Sequence, residues 1–212
     1  MFYKHIDMKR KLFIFIFLAL MLNGAPALIG SYNASAQSFA VKTNLLWDAT
    51  ATLNAGVEFK LAPKWTMEIP VNVNAWMKPG DENPKWRQLT VQPEVRYFFN
   101  EAFKGHFVGF HAHGGTFNLG GIKLPVNFLG SDFNKLEKLE NRYEGWLVGA
   151  GVNYGYVIGL SPHWKLELEL GVGYIYLDYD IFKYALAGKQ IGSNTHHYFG
   201  PTEFAISIAY LF

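Results

Sequence analysis

The last nine residues, 204–212, put a large apolar side chain at every second position: Phe204, Ile206, Ile208, Tyr210 and Phe212. Mostly small residues fill the gaps, and period two specifies a strand with two unlike faces. The same alternation recurs upstream. Phe39, Val41, Thr43 and Leu45 oppose Ala40, Lys42, Asn44 and Leu46, and Ala55, Val57, Phe59 and Leu61 oppose Gly56, Glu58 and Lys60. Continued along the chain, the pattern predicts eight strands: near 39–46, 55–61, 65–74, 86–99, 106–119, 145–159, 164–176 and 204–212. Pro93 interrupts the fourth, where a bulge is expected because a paired strand interior needs its amide.

The connections alternate in length. Ala62 to Lys64, Asn100 to Gly105 and Ser161 to His163 are short, and those between them are longer. Within Gly120 to Arg142, the spacing of Phe133, Leu136 and Leu139 predicts one short amphipathic helix over Asp132 to Asn141. The polar segment Tyr179 to His197 reads as a loop. Short turns at one end and long loops at the other are the signature of a membrane barrel with both termini on the periplasmic side. The expected fold class is therefore all-β: an eight-stranded antiparallel up-and-down transmembrane β-barrel.

At the amino end, Lys4, Lys9, Arg10 and Lys11 precede the apolar run Leu12 to Leu22, and the small triplet Ala34, Ser35, Ala36 follows. That is the layout of a secretory signal peptide. Eleven apolar residues (12 to 22) fall short of the roughly 18–20 that a spanning helix needs. Cleavage is expected after Ala36, giving a signal peptide over 1–36 and a barrel domain over 37–212. Removing 1–36 takes away four basic residues and Asp7, so the +2 of the whole chain becomes about −1 and no nucleic-acid partner is implied. With no cysteine, disulfides, thiol chemistry and a lipidated anchor are excluded. The expected location is the outer membrane of a Gram-negative bacterium.

Alternation alone does not say which face points inward, but bulk does. Trp65, Phe59, Tyr97, Phe110, Trp146 and Tyr174 would crowd an eight-stranded interior, which is just wide enough for side chains to fill. The opposite face is glycine-rich and carries Lys42, Glu58, Glu68, Glu94, Arg96, Glu167, Glu169 and Glu203. The expectation is charges inside, with Arg96 and Lys165 paired to glutamates, and apolar residues toward lipid. Trp65, Tyr97, Phe99, Trp164, Tyr210 and Phe212 should form an interfacial aromatic belt at the turn end. A soluble lipocalin-like ligand-binding barrel is the alternative architecture.

Five stretches carry a family likeness: AVKTNLL (40–46), VQPEVRY (91–97), GHFVG (105–109), GGIKLP (120–125) and YFGPT (198–202). With them the chain resembles the bacterial family called domain of unknown function 3575, over essentially all of 37–212. The resemblance implies a small outer-membrane barrel that accompanies surface-fimbria systems and has no assigned catalytic activity. More distantly the architecture is similar to the OmpA-type transmembrane barrel, without its peptidoglycan-binding part.

For chemistry, His111 and His113 share a strand face about 7 Å apart and with an interior glutamate could hold a metal. Interior hydrogen bonding is the simpler expectation. His196 and His197, with Asp178 and Asp180, are expected at the outer rim under the same reasoning. A Ser-His-Glu lipid hydrolase or acyltransferase is the enzymatic alternative, but Ser131 and Ser193 read as loop residues and Ser207 as buried in the closing strand. No catalytic, cofactor-binding or metal residue is assigned, and no cofactor is expected. The expectation is a non-enzymatic structural or accessory surface protein linked to a fimbrial or adhesion system. Its partners would be outer-membrane lipid and lipopolysaccharide, the barrel-assembly machinery through Phe212, and a surface or fimbrial protein.

Overall fold

The computed structural model describes residues 37–77, 85–121, 129, 141–183 and 188–212. The expected signal peptide, the segment 78–84 and most of the expected helix at 132–141 lie outside them. The unit Ser38–Phe212 is a closed antiparallel barrel. Its strands are β1 (Phe39–Asn44), β2 (Leu53–Ala62), β3 (Trp65–Met77), β4 (Lys85–Val91), β5 (Glu94–Phe98), β6 (Gly105–Gly120), β7 (Asn141–Gly159), β8 (Trp164–Lys183) and β9 (Gln190–Leu211). β4 and β5 both pair with β3 and β6, every other strand pairs with its sequence neighbours, and β1 pairs with β9 to close the ring.

β4 and β5 are two segments of one stave, since both lie between β3 and β6. The expected bulge at Pro93 is absent. Val71 opposes Val91 before the break and Glu68 opposes Glu94 after it, so the register runs through unchanged. Across from the break lies Pro70, which also lacks an amide; its carbonyl accepts from Gln92 N at 3.1 Å. Two prolines thus interrupt the ladder without inserting a residue.

Two further expectations are corrected. The first strand ends at Asn44, whose side chain accepts from Leu46 N and caps a short helix α1 (Leu45–Ala49). α1 packs against β9 and β2. The ladder between β1 and β9 stops at Asn44 opposite Ser207, so α1 sits at a seam in the wall. The segment 179–197 is mostly strand: β8 runs to Lys183 and β9 begins at Gln190. β7, β8 and β9 therefore have 19, 20 and 22 residues against 6 in β1, and one side of the barrel stands taller than the other.

The two faces divide as the alternation requires. Lys42, Glu58, Glu68, Glu94, Arg96, Glu167 and Glu169 are buried inside. Phe59, Phe110, Val152, Leu170 and Phe204 are exposed outside. The interior is layered. Phe98, Phe107 and Val157 pack near the short turns, and Phe117, Leu119, Tyr143, Leu147, Ile175 and Leu177 pack toward the long-loop end. Between these apolar layers lie the charges.

Candidate functional site

Arg96 and Lys42 organise the charged layer. Arg96 Nη1 reaches Glu167 at 2.8 Å, while Nη2 reaches Glu169 at 2.7 Å and Glu68 at 2.6 Å. Its Nε donates to Glu94, and its guanidinium lies 4.7 Å from the centre of the Phe107 ring. Lys42 Nζ bridges Glu68 at 2.9 Å, Glu167 at 2.8 Å and also Glu58, which in turn accepts from Thr66. Glu58 lies a further 3.4 Å from Nη1, so planar, multi-donor guanidinium geometry lets one residue serve carboxylates from β2, β3, β5 and β8. The expected pairing of Arg96 is present; Lys165 instead donates to the Ser161 carbonyl at 3.4 Å.

A second cluster adjoins this layer. His111 is directly opposite Glu94 across the β5–β6 ladder, and its β7 neighbour is Gly151. A Cβ on Gly151 would collide with His111 Nε2, and one on Gly171 would lie 3.0 Å from His111 Cε1 and from Glu203 Cβ. These glycines clear the inner wall of β7 and β8, so the imidazole leans across to β9. There Nε2 lies 3.1 Å from Thr202 Oγ1 and Nδ1 lies 3.0 Å from Glu203 Oε2. Asn153 Nδ2 donates to Glu203 at 2.9 Å and also to Glu169.

One of the two irregularities in the β8–β9 ladder is here. Gly171 opposes Glu203 and Val172 opposes Pro201, leaving Thr202 as the extra residue. One inserted residue shifts the parity of everything beyond it. Phe204 and Ile206 face outward below the bulge, whereas His197 and Phe199 face outward above it, the latter 81% exposed. At the bulge both Thr202 and Glu203 reach His111.

Of the candidates legible in the sequence, His111 and His113 do meet, with ring centroids 4.5 Å apart and the planes at 62°. His196 and His197 do not converge, being adjacent on a strand. His196 Nε2 contacts the Leu129 carbonyl at 3.0 Å, and His197 contacts the outward Tyr174 hydroxyl at 2.5 Å. Asp178 and Asp180 stand opposite Thr195 and Ser193 within the β8–β9 ladder, so Ser193 is a strand residue, not a loop one. Ser207 is buried opposite Asn44 and Glu167, and Ser131 lies outside the described residues. Thr202 and Asn153 were not legible as site residues; the proline of the Gly200-Pro201-Thr202 stretch was the available sign of an irregular strand.

The sequence profile of a family described as "Protein of unknown function (DUF3575)" matches residues 18–212, and the chain belongs to that family. No curated protein matches the chain.

Proposed function

We propose that this DUF3575 member is a transmembrane barrel of a Gram-negative outer membrane. In this reading it is exported by a signal peptide cleaved after Ala36, carries no catalytic activity of its own, and serves as a structural or accessory surface protein. The observation that carries it is the inversion of the barrel: a buried charged layer inside and a continuous apolar exterior. An exposed apolar surface of this extent needs an apolar solvent, and a lipocalin-like barrel would have the opposite polarity.

Aromatic residues mark both edges of the apolar band. At the turn end, Trp65 packs on Tyr97, Trp164 on Tyr210, and His106 on Tyr156. At the other end, Trp146 packs on Tyr176 and Tyr176 on His197. The belts are ten residues apart on β7 (146 to 156) and twelve on β8 (164 to 176). At about 3.3 Å per residue and a tilt of about 40°, that is about 25–30 Å along the barrel axis, the thickness of a bilayer's hydrocarbon core. The termini then face the periplasm, Phe212 is offered to the assembly machinery, and the tall β7–β9 wall rises above the outer belt toward a surface or fimbrial partner. Recovery in the outer-membrane fraction with heat-modifiable gel migration is the expected result; recovery as a soluble periplasmic protein would contradict it.

One observation favours a second reading, a lipid hydrolase. Thr202, His111 and Glu203 are connected in the order nucleophile, base, orienting acid. His111 is fully buried, however, and its Nδ1 makes no aligned hydrogen bond to Glu203, which a working triad requires. Phospholipid deacylation by the purified barrel that disappears in Thr202→Ala would establish this reading in place of the first.

A further inference from the structure

We propose that Glu94, His111 and Glu203 form a binding site for a divalent transition-metal ion inside the barrel, with Asn153 and Thr202 in support. One ligand atom from each of the three residues lies within 4.8 Å of the other two. Two carboxylates and one imidazole are a donor set that suits Zn2+ and its first-row neighbours. Ligand atoms sharing Zn2+ at about 2.0–2.2 Å stand about 3–3.5 Å apart. Small side-chain rotations close that difference.

The second observation is a surplus of buried acceptors. Glu94 Oε2, His111 Nδ1 and Asn153 Oδ1 are all buried without a hydrogen-bond partner. Asn153 Oδ1 and the other Glu94 oxygen both crowd the space over Gly109, which places the two side chains together. With Nε2–H donating to Thr202 Oγ1, the His111 Nδ1 lone pair is free to ligate, and the hydroxyl fixes the tautomer as outer partners of metal-bound histidines do. The 3.0 Å approach of Nδ1 to Glu203 Oε2 lacks hydrogen-bond alignment, so a proton between them is poorly placed. Beyond the donors already spent by Asn153 Nδ2 and Arg96 Nε, these three acceptors remain unpaired in a buried space and call for a cation.

The wider charge count points the same way. Glu58, Glu68, Glu94, Glu167, Glu169 and Glu203 face two permanent cations, Lys42 and Arg96, whose ion pairs reach the first five, Glu94 through one oxygen alone, but not Glu203. Glu203 makes its contacts with His111 and Asn153 instead. Glu203 lies four residues before Ser207, where the β1 ladder ends, and its side chain is 11% exposed.

The test uses the full mature barrel refolded in detergent micelles, stripped with chelator and titrated with Zn2+, then with Co2+ as a spectroscopic stand-in. The proposal does not depend on the membrane location, so it stands or falls separately from that reading. The expected result is one equivalent of Zn2+ retained through desalting. His111→Gln and Glu203→Gln each weaken binding at least about tenfold, Thr202→Val weakens it by about 10–100-fold as an outer partner, and a His196→Ala/His197→Ala double variant binds like the parent. Absence of retained metal in the folded parent protein, unchanged binding in His111→Gln, or loss of binding in the double variant would overturn the proposal. Should the glutamine variants lose the heat-modifiable shift that marks folding, X-ray absorption on the Co2+-loaded parent decides: one nitrogen with oxygens supports the site, and two or more imidazoles overturn it.

Discussion

Phe39 and Phe212 stack face to face, with ring centroids 4.6 Å apart and planes within 5°, at the junction where β1 meets β9. Phe212 also packs edge-on against Tyr210 at 4.7 Å, and its amide donates to the Phe39 carbonyl at 2.9 Å. The carboxyl terminus is thereby part of the closure itself. An aromatic pair contributes about 0.5–1.5 kcal/mol beyond area burial. Deleting Phe212 is expected to leave the folded barrel measurably less stable in urea and, if the residue is also read by the assembly machinery, to lower the amount inserted in cells by more than that loss explains. Normal insertion of the deletion variant would remove the assembly role.

Arg96 is the residue on which most of the charged layer depends. Arg96→Met keeps the bulk but leaves Glu94, Glu167 and Glu169 without their guanidinium. Removing one partner of a buried ion pair costs about 3–5 kcal/mol, and a loss of that order is expected in urea unfolding followed by tryptophan fluorescence in micelles. Arg96→Lys should recover only part, because one ammonium nitrogen cannot replace Nε, Nη1 and Nη2, each of which reaches its own carboxylates.

Leu170 sits midway between Trp164 and Tyr176 on β8 and is 56% exposed. In lipid, Leu170→Arg is expected to cost about 2–4 kcal/mol, the penalty for arginine at the bilayer midplane. Were that face in water, the same change would fall within about 0.5 kcal/mol.

Gly155 supports the ring of Phe107. A Cβ there would run into Phe107 Cζ and Cε1 and come within 2.9 Å of the Leu168 carbonyl oxygen. Since Phe107 is packed between Phe98 and Arg96, it has little room to yield. Gly155→Ala should destabilise by about 1–3 kcal/mol through overpacking. Gly192, with open space around it, is the control at which alanine should cost much less.

The alternation made the barrel legible because each stave between the belts has one exposed apolar face and one face toward a charged layer. Lys42, Glu58, Arg96 and Glu167 all lie inside as that logic requires. It failed where the two environments stop being different in that way. Above the outer belt, Gln190 to His197 offers Ile191 as its one large apolar side chain and no period-two run of them, so a strand reads as a polar loop. Leu147, Ile175 and Leu177 are apolar on the inner face, which a rule giving each strand one apolar face assigns to nothing. The His111–Glu203 contact depends on the extra residue at Thr202 and on two glycines, Gly151 and Gly171, clearing a path across β7 and β8. Neither a two-residue period nor a pair of histidines in one strand encodes that.

The most direct test of the inverted barrel is site-directed spin labelling, which the cysteine-free sequence makes straightforward. Single cysteines at Leu168, Leu170 and Val172, with one at the exposed turn residue Lys104 as reference, would be labelled and the barrel returned to bilayers. Collisions with oxygen should exceed those with a water-soluble nickel complex at the three β8 positions, most strongly at Leu170, while Lys104 shows the reverse. Nickel accessibility at Leu170 equal to that at Lys104 would place the apolar face in water and contradict the account.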